Sequence, residues 1–429
     1  MITLDELYAL YKKSSAVTID SRKIQGGELF FAFSGENFNA ATLALQAVQN
    51  GASAVIVEDE DFADVQQNIY YVPSTLQTLQ DLAKYHRQQL SIPIIALTGS
   101  NGKTTTKELI HAVLSQKFNV QYTSGNLNNH IGVPLTLLST NEKHEMAIVE
   151  MGANHQQEIA LLCEIAQPDY GYITNFGKAH LEGFGGFEGV IKGKSEMYSY
   201  LMTHQKTILV NAEDEIQVEK TKGYSPKISF GNEWLHTVNY GFEEIVQAHR
   251  VGVRYKNRDI WSQLTGVYNY TNLCAAVALG LHFEVELEKI QQGITDYFPI
   301  NMRSQIEKRG AYNIIVDTYN ANPSSMELSL KNFKDFEGYK IAILGDMLEL
   351  GEVSHEEHKK IYQFAKDLGI DEIYTVGKFF MEVNHEKSFE KTQELAQYLA
   401  TNPLLQGHVL LKGSRGMKLE QLLDEVRKV

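Results

Sequence analysis

The chain has 429 residues, which at roughly 150 residues per domain suggests about three domains and cores that need neither disulfides nor a structural metal. Hydrophobic residues make up 43% and charged residues 21%, which excludes a wholly disordered or a collagen-like chain. The 39 basic and 53 acidic residues leave a net charge of −14, which argues against a surface that coats nucleic acid but leaves room for a local phosphate pocket. Cys163 and Cys274 lie far apart and have no CxxC partner, so they read as buried thiols of a reducing compartment. The start, Met1 to Leu7, lacks the layout of a signal peptide, and no run approaches the ~18 apolar residues of a membrane span. A soluble, cytoplasmic chain is expected.

In chain order, residues 28–33 and 54–57 are predicted strands around a helix near 43–48. Ser91-Ile92-Pro93 then breaks the pattern. Apolar runs at 94–97, 146–149, 171–173, 314–316, 341–344 and 408–411 each lead into a polar, glycine-rich or asparagine-rich turn. Between them, Leu109, Ile110, Val113 and Leu114 share one helix face, as do Leu161, Leu162 and Ile165. Short, wholly apolar strands alternating with helices predict parallel sheets covered on both faces, with ligands beyond the strands' carboxyl ends. A second break at Phe298-Pro299-Ile300-Asn301 gives domains 1–91, 92–299 and 300–429.

The sharpest motif is Thr98-Gly99-Ser100-Asn101-Gly102-Lys103-Thr104-Thr105, placed between a strand and a helix. Its glycines free backbone N–H groups to face phosphates, Lys103 suits the β/γ oxygens, and the Thr104 hydroxyl suits Mg²⁺. Leu97 stands where the general phosphate-loop pattern has its first glycine, so this is a compact variant. Gly183-Phe184-Gly185-Gly186-Phe187-Glu188-Gly189 nearly spells a dinucleotide fingerprint, but its last glycine falls one residue late and no strand precedes it. A flexible loop is expected there.

With this loop, residues 123–134, Glu150-Met151-Gly152-Ala153, Thr174-Asn175-Phe176-Gly177, residues 180–185, 317–323 and 344–351, and Lys412-Gly413-Ser414-Arg415-Gly416 resemble the Mur ligases, the ATP-dependent amide-bond formers of peptidoglycan precursor synthesis. The resemblance covers nearly the whole chain. It implies an α/β protein of three domains: a small mixed α/β N-terminal domain that binds the UDP-sugar, a central P-loop-type parallel-sheet ATPase domain, and a C-terminal Rossmann-like α/β domain that binds the acceptor. The implied reaction joins D-Ala-D-Ala to UDP-MurNAc-tripeptide through an acyl phosphate, using ATP and two Mg²⁺ ions; a monomer is the default expectation.

The resemblance also implies roles for residues. Gly99, Ser100, Asn101, Gly102, Lys103, Thr104 and Thr105, with Asn269, Asn272, Arg303 and Asp317, would hold ATP. Thr104, Glu150, His180 and Lys194, the last as a CO₂-derived carbamate, would hold metal; Lys103, Lys194 and His180 would be catalytic. Ser21 and Arg22 would meet the uridine diphosphate, Asn126, Asn128 and Asn129 the sugar-peptide, and Asn320, Asn322, Lys412, Ser414 and Arg415 the acceptor side. On residue type alone, Glu150 is equally a helix N-terminal charge and Asn269 and Asn272 are caps. On residue type Lys194 reads rather as a solvated helix lysine, and the basic turn at 412–415 as simply solvated. Lys103, Arg303, Lys412 and the helix N-termini are expected to make a positive cleft inside an acidic shell.

Three stretches depart from the family: Tyr268 stands for its usual His, Met302-Arg303 for Gly-Arg, and 37–41 for Gly-His-Asp-Phe. The rivals are another Mur-type or folylpolyglutamate-type ligase and a non-catalytic nucleotide-binding regulator. Asn320-Ala321-Asn322-Pro323, with no Asp-Asn-Pro-Arg stretch, favours the dipeptide-adding branch.

Overall fold

Three sheets organise the chain, and a computed structural model describes residues 2–247, 249–299, 302–310 and 312–425. The first sheet holds four parallel strands in the order Val17–Thr18, Leu29–Phe31, Ala54–Val57 and Ile69–Tyr71. The second and third are buried at every residue, as expected for strands covered on both faces. The predicted helix at 43–48 is Ala44–Gln49; Leu4–Tyr11 and Thr75–Gln89 complete the layer.

The second sheet has nine strands. From one edge they run Val120–Tyr122, Met146–Glu150, Ile94–Thr98, Tyr170–Ile173, Thr207–Asn211, Lys227–Asn232, Tyr240–Gln247, Arg250–Tyr255 and Arg258–Thr265. The first seven are parallel, but the last three meet as antiparallel neighbours, which differs from the wholly parallel expectation. Burial alternates along Arg258–Thr265, as in a one-sided strand. Its hairpin turns at Lys256 and Asn257, with φ of 47° and 62°, so no glycine marks the turn. The strand order reverses at Ile94–Thr98, so the turns after it and its two neighbours open into one crevice.

The third sheet runs Gln305–Arg309, Tyr312–Asp317, His408–Lys412, Lys340–Gly345, Glu372–Val376 and Ser388–Phe389, antiparallel only at its first pair. The break at 298–301 includes Ile300 and Asn301, and the chain ends with 426–429; these lie outside the described residues. Packing does not stop at the first break. Leu79, Leu82 and Ala83 share one core with Val133, Leu137, Ile159 and Leu162 of the next sheet's helices.

Local readings divide similarly. Leu109, Ile110, Val113 and Leu114 are buried, as are Leu162 and Ile165, but Leu161 is 42% exposed and faces a cleft. The stretch 183–189 is not a loop. It contains the end of helix Leu181–Phe184 and the start of helix Phe187–Thr203, joined at Gly185 and Gly186. Phe184 pins this corner: it is buried so close to Gly193 that a Cβ there would lie 2.4 Å from its ring. Both cysteines are buried free thiols, and no helix among the described residues is long and apolar enough to cross a membrane.

Candidate active site

The crevice beside Ile94–Thr98 is built around the phosphate-loop motif. Gly99 and Gly102 take φ of 142° and 78°. A Cβ on Gly99 would sit 2.0 Å from the Thr174 hydroxyl, and one on Gly102 would sit 2.7 Å from Asn272 Oδ1, so both positions exclude other residues. The loop is tied to the next strand's turn. Ser100 donates its hydroxyl to the Gly177 carbonyl at 3.0 Å, Asn101 N donates to Asn175 Oδ1 at 3.0 Å, and Asn175 Nδ2 returns a bond to the Asn101 carbonyl at 3.0 Å. Lys103 opens helix Lys103–Leu114, folding back to donate to the Gly99 carbonyl at 2.6 Å. Burial pulls its ammonium down to about 8; Arg303 pushes the same way and Glu150 opposes.

Glu150 ends the neighbouring strand and is buried. Its Oε1 accepts from the Thr104 hydroxyl at 3.2 Å and from Asn128 Nδ2 at 2.8 Å, while its Oε2 has no hydrogen-bond partner. The helix-charge alternative fails, because this side chain turns inward. Lys107, which the sequence reading missed, is wholly buried one turn beyond Lys103. It donates to the Thr123 carbonyl at 2.7 Å and lies 3.8 Å from Glu150 Oε2. Only its i+4 spacing from Lys103 could have flagged it.

Lys194 is likewise buried, not solvated. Its Nζ donates to the Ala153 carbonyl at 3.0 Å, and burial, then Lys103, holds its ammonium well below the usual lysine range. Asn269 and Asn272 are not side-chain caps. Asn269 donates to the Thr265 carbonyl at 2.8 Å, and Asn272 lies inside helix Tyr270–His282, bonding Asn269 Oδ1 at 2.9 Å and accepting from Thr106 at 3.0 Å.

The facing wall comes from the third sheet. Asp317 ends a strand and pairs with Lys412 at 2.9 Å; Lys412 also donates to the Asn320 carbonyl at 2.9 Å, so it too is not simply solvated. Asn322 caps helix Pro323–Lys334 and reaches across to Asn101 Oδ1 at 2.8 Å. Arg303 lies 3.9 Å from the Tyr319 ring centroid, with its Nε buried and unpartnered. The two walls also meet where Lys178 N donates to Ser324 at 3.1 Å and where His180 bonds Glu349.

Between the walls lies a cleft of about 660 Å³, within the usual range of small-molecule sites. Of the predicted residues, Ser100, Asn101, Gly102, Lys103 and Thr105 line it, with Asn126, Asn128, Asn129, Glu150 and His180. Asn269, Asn272, Arg303, Asp317, Asn320, Asn322 and Lys412 complete this group. Gly99, Thr104 and Lys194 support the lining from behind through the bonds given above.

Ser21, Arg22, Ser414 and Arg415 are not part of the lining. Arg22 is 87% exposed and paired to Asp20 at 2.8 Å, Ser414 accepts from Leu348 N at 3.1 Å, and Arg415 lies 5.1 Å from the Tyr319 ring centroid.

One expectation fails here. Lys103, Arg303 and Lys412 face Glu150, Glu158, Asp317 and Glu349, so the cleft is not a positive interior. Of the four residues expected at metal, two are in direct contact. Thr104 and Glu150 meet, while His180 is bonded to Glu349 and Lys194 to the Ala153 carbonyl.

Known proteins match this architecture along its length. The family models "Mur ligase family, catalytic domain", "Mur ligase middle domain" and "Mur ligase, glutamate ligase domain" match residues 13–87, 97–280 and 302–426. The UDP-N-acetylmuramoyl-tripeptide–D-alanyl-D-alanine ligase of Bacillus subtilis is 34% identical over 96% of this chain and 92% of its own. The Escherichia coli protein of that name is 35% identical over 95% and 92%. A crystal structure of MurF from Acinetobacter baumannii superposes with a TM-score of 0.86 at 31% identity, covering 100% of this chain and 99% of that one. MurF from Thermotoga maritima in complex with ADP gives 0.84 at 26% identity, covering 98% of each chain. With three family models in chain order and two curated relatives above 30% identity over nearly its full length, the chain belongs to the Mur ligase family.

Proposed function

We propose that this protein is an ATP-dependent ligase that joins D-alanyl-D-alanine to UDP-N-acetylmuramoyl-tripeptide, giving the UDP-MurNAc-pentapeptide of peptidoglycan synthesis. The observation that carries the reading is a formed phosphate loop whose Thr104 hydroxyl meets the buried Glu150 carboxylate at 3.2 Å, in a chain similar end to end to ligases of that name. The tripeptide carboxylate oxygen attacks the γ-phosphorus of ATP, and ADP leaves. The dipeptide amine then attacks the acyl carbon, loses a proton and expels inorganic phosphate. No protein nucleophile is needed; the residues position anions and neutralise their charge.

Lys103, Gly102 N–H and the start of helix Lys103–Leu114 hold the phosphates. Asn269, Asn272, Arg303 and Asp317 hold the rest of ATP, and Asn126, Asn128 and Asn129 the sugar-peptide. Lys412, Asn320 and Asn322 face the acceptor, with Arg415 behind Tyr319. Ser21 and Arg22 meet the uridine diphosphate outside the cleft.

Thr104 and Glu150 fit a hard cation by donor chemistry, and Glu150 Oε2, which makes no hydrogen bond and has only the Lys107 ammonium at 3.8 Å, keeps acceptor capacity for it. Mg²⁺, when bound, offsets the charge of the phosphate oxygens; with four carboxylates on the cleft wall, a nucleotide triphosphate needs such company. We assign two ions, with His180 at the second. The depressed Lys194 ammonium favours the neutral amine that adds to CO₂ with loss of a proton, and this supports a carbamate there. Domain boundaries at 91/92 and 299/300 are supported by the family-model spans. A cytoplasmic monomer is the setting we assign.

The test is direct. With UDP-MurNAc-tripeptide, ATP, Mg²⁺ and D-Ala-D-Ala, mass spectrometry detects UDP-MurNAc-pentapeptide with equimolar ADP and phosphate. Absence of that product, with ATP still bound, contradicts the reading and leaves a nucleotide-binding regulator. Product from a single amino acid in place of the dipeptide reassigns the branch.

A further inference from the structure

His180 and Glu349 reach the cleft from different domains, and both do so in backbone conformations that side-chain-bearing residues seldom adopt. Their φ values are 53° and 63°. Such conformations persist where the surroundings over-determine them, and they concentrate at working sites. Here the surroundings are matched. Leu181, next to His180, packs into the C-terminal core that contains Leu350. A Cβ on Gly351 would lie 3.2 Å from Glu182 Cβ. The segments 180–182 and 349–351 thus fit against each other, and at their junction His180 Nδ1 is hydrogen-bonded to Glu349 Oε2.

We infer that Glu349 is the positioning residue for His180. By accepting the Nδ1 proton, its carboxylate fixes the imidazole tautomer and ring plane and leaves Nε2 as the lone-pair nitrogen. A histidine that serves a metal is commonly oriented by a carboxylate in this way. What distinguishes this pair is that the carboxylate comes from the other domain, so the histidine is oriented only when the C-terminal domain is docked. Docking and completion of the site are then one event. The kinetic consequence rests on the ligase reading given above.

Glu349→Gly suits a test, because glycine adopts the positive φ without strain and the loop keeps its path. We expect kcat to fall roughly 10–100-fold with KM for each of the three substrates little changed, and Glu349→Gln, which keeps an acceptor oxygen, to recover part of the rate. His180→Ala combined with Glu349→Gly should be no slower than His180→Ala alone, since the two act as a unit. Full kcat in Glu349→Gly, or losses that multiply in the double variant, would overturn the inference.

A second readout needs no acceptor substrate. Mn²⁺ titrated into the ADP complex and followed by electron paramagnetic resonance should bind roughly 10-fold more weakly to Glu349→Gly than to the unaltered protein. Equal Mn²⁺ affinity overturns the positioning role whether or not pentapeptide is formed. Weakened Mn²⁺ binding in a protein that forms no pentapeptide supports the role and overturns the ligase reading alone.

Discussion

The loop at 98–103 and the strand end at 317–322 face each other across the cleft from different domains, each braced within its own, but only the first carries the phosphate loop. On the central wall, Ser100, Asn101 and Lys103 are fixed within their own domain by bonds to Gly177, Asn175 and Gly99. On the facing wall, Lys412 and Asp317 are fixed to each other, and that wall's domain meets the first through polar contacts such as Asn322 to Asn101 at 2.8 Å and through Leu181 packed into its core. A wall organised by its own domain can grip phosphate at any domain angle. A wall delivered across an interface contributes only while docked, so changes there should act through closure.

The largest expected effect lies on the phosphate-loop wall. Lys103→Met should lower kcat/KM by about 10²–10³-fold without lowering Tm, the scale of losing one preorganised charge. The sign of its pH dependence follows from burial. Burial pulls the Lys103 ammonium down to about 8, so ADP affinity should be flat below that pH and fall above it as the charge is lost. Calorimetric titration from pH 6.5 to 9.5 checks this, and the fall must vanish in Lys103→Met.

Next comes Lys194→Ala, with a loss of roughly 100-fold that added acetate or formate partly restores. Full activity without rescue would reject the carbamate. Asn322→Ala removes a cross-cleft hydrogen bond together with the cap of helix Pro323–Lys334, so a loss of about 3–10-fold is expected, with a slightly lower Tm and a larger scattering radius in the nucleotide complex. The smallest effect belongs to the first domain. Arg22→Ala should raise KM for the UDP-linked substrate about 2–5-fold and leave kcat alone, since its contacts outside Asp20 await substrate.

What could be read from sequence follows the same division. The phosphate loop was legible because strand, glycines, lysine and helix are contiguous, and the apolar runs marked the parallel strands. The antiparallel edge was not, since a Lys256-Asn257 turn lacks the glycine that usually announces a hairpin. Glu349 lay inside a recognised motif without a role, because its partner is 169 residues away and positive φ at a glutamate leaves no trace in composition. Lys107 was hidden by chemistry: buried lysines are rare, and a lysine four residues past another reads as surface charge. The expected positive cleft failed because net charge and loop motifs do not reveal which carboxylates share the wall.

The central claim is that the tripeptide carboxylate is phosphorylated before the dipeptide amine attacks. A tripeptide substrate with both terminal carboxylate oxygens as ¹⁸O tests it within one turnover. The account predicts that each inorganic phosphate released carries one ¹⁸O and that the new amide keeps the other. Unlabelled phosphate alongside pentapeptide product would contradict it.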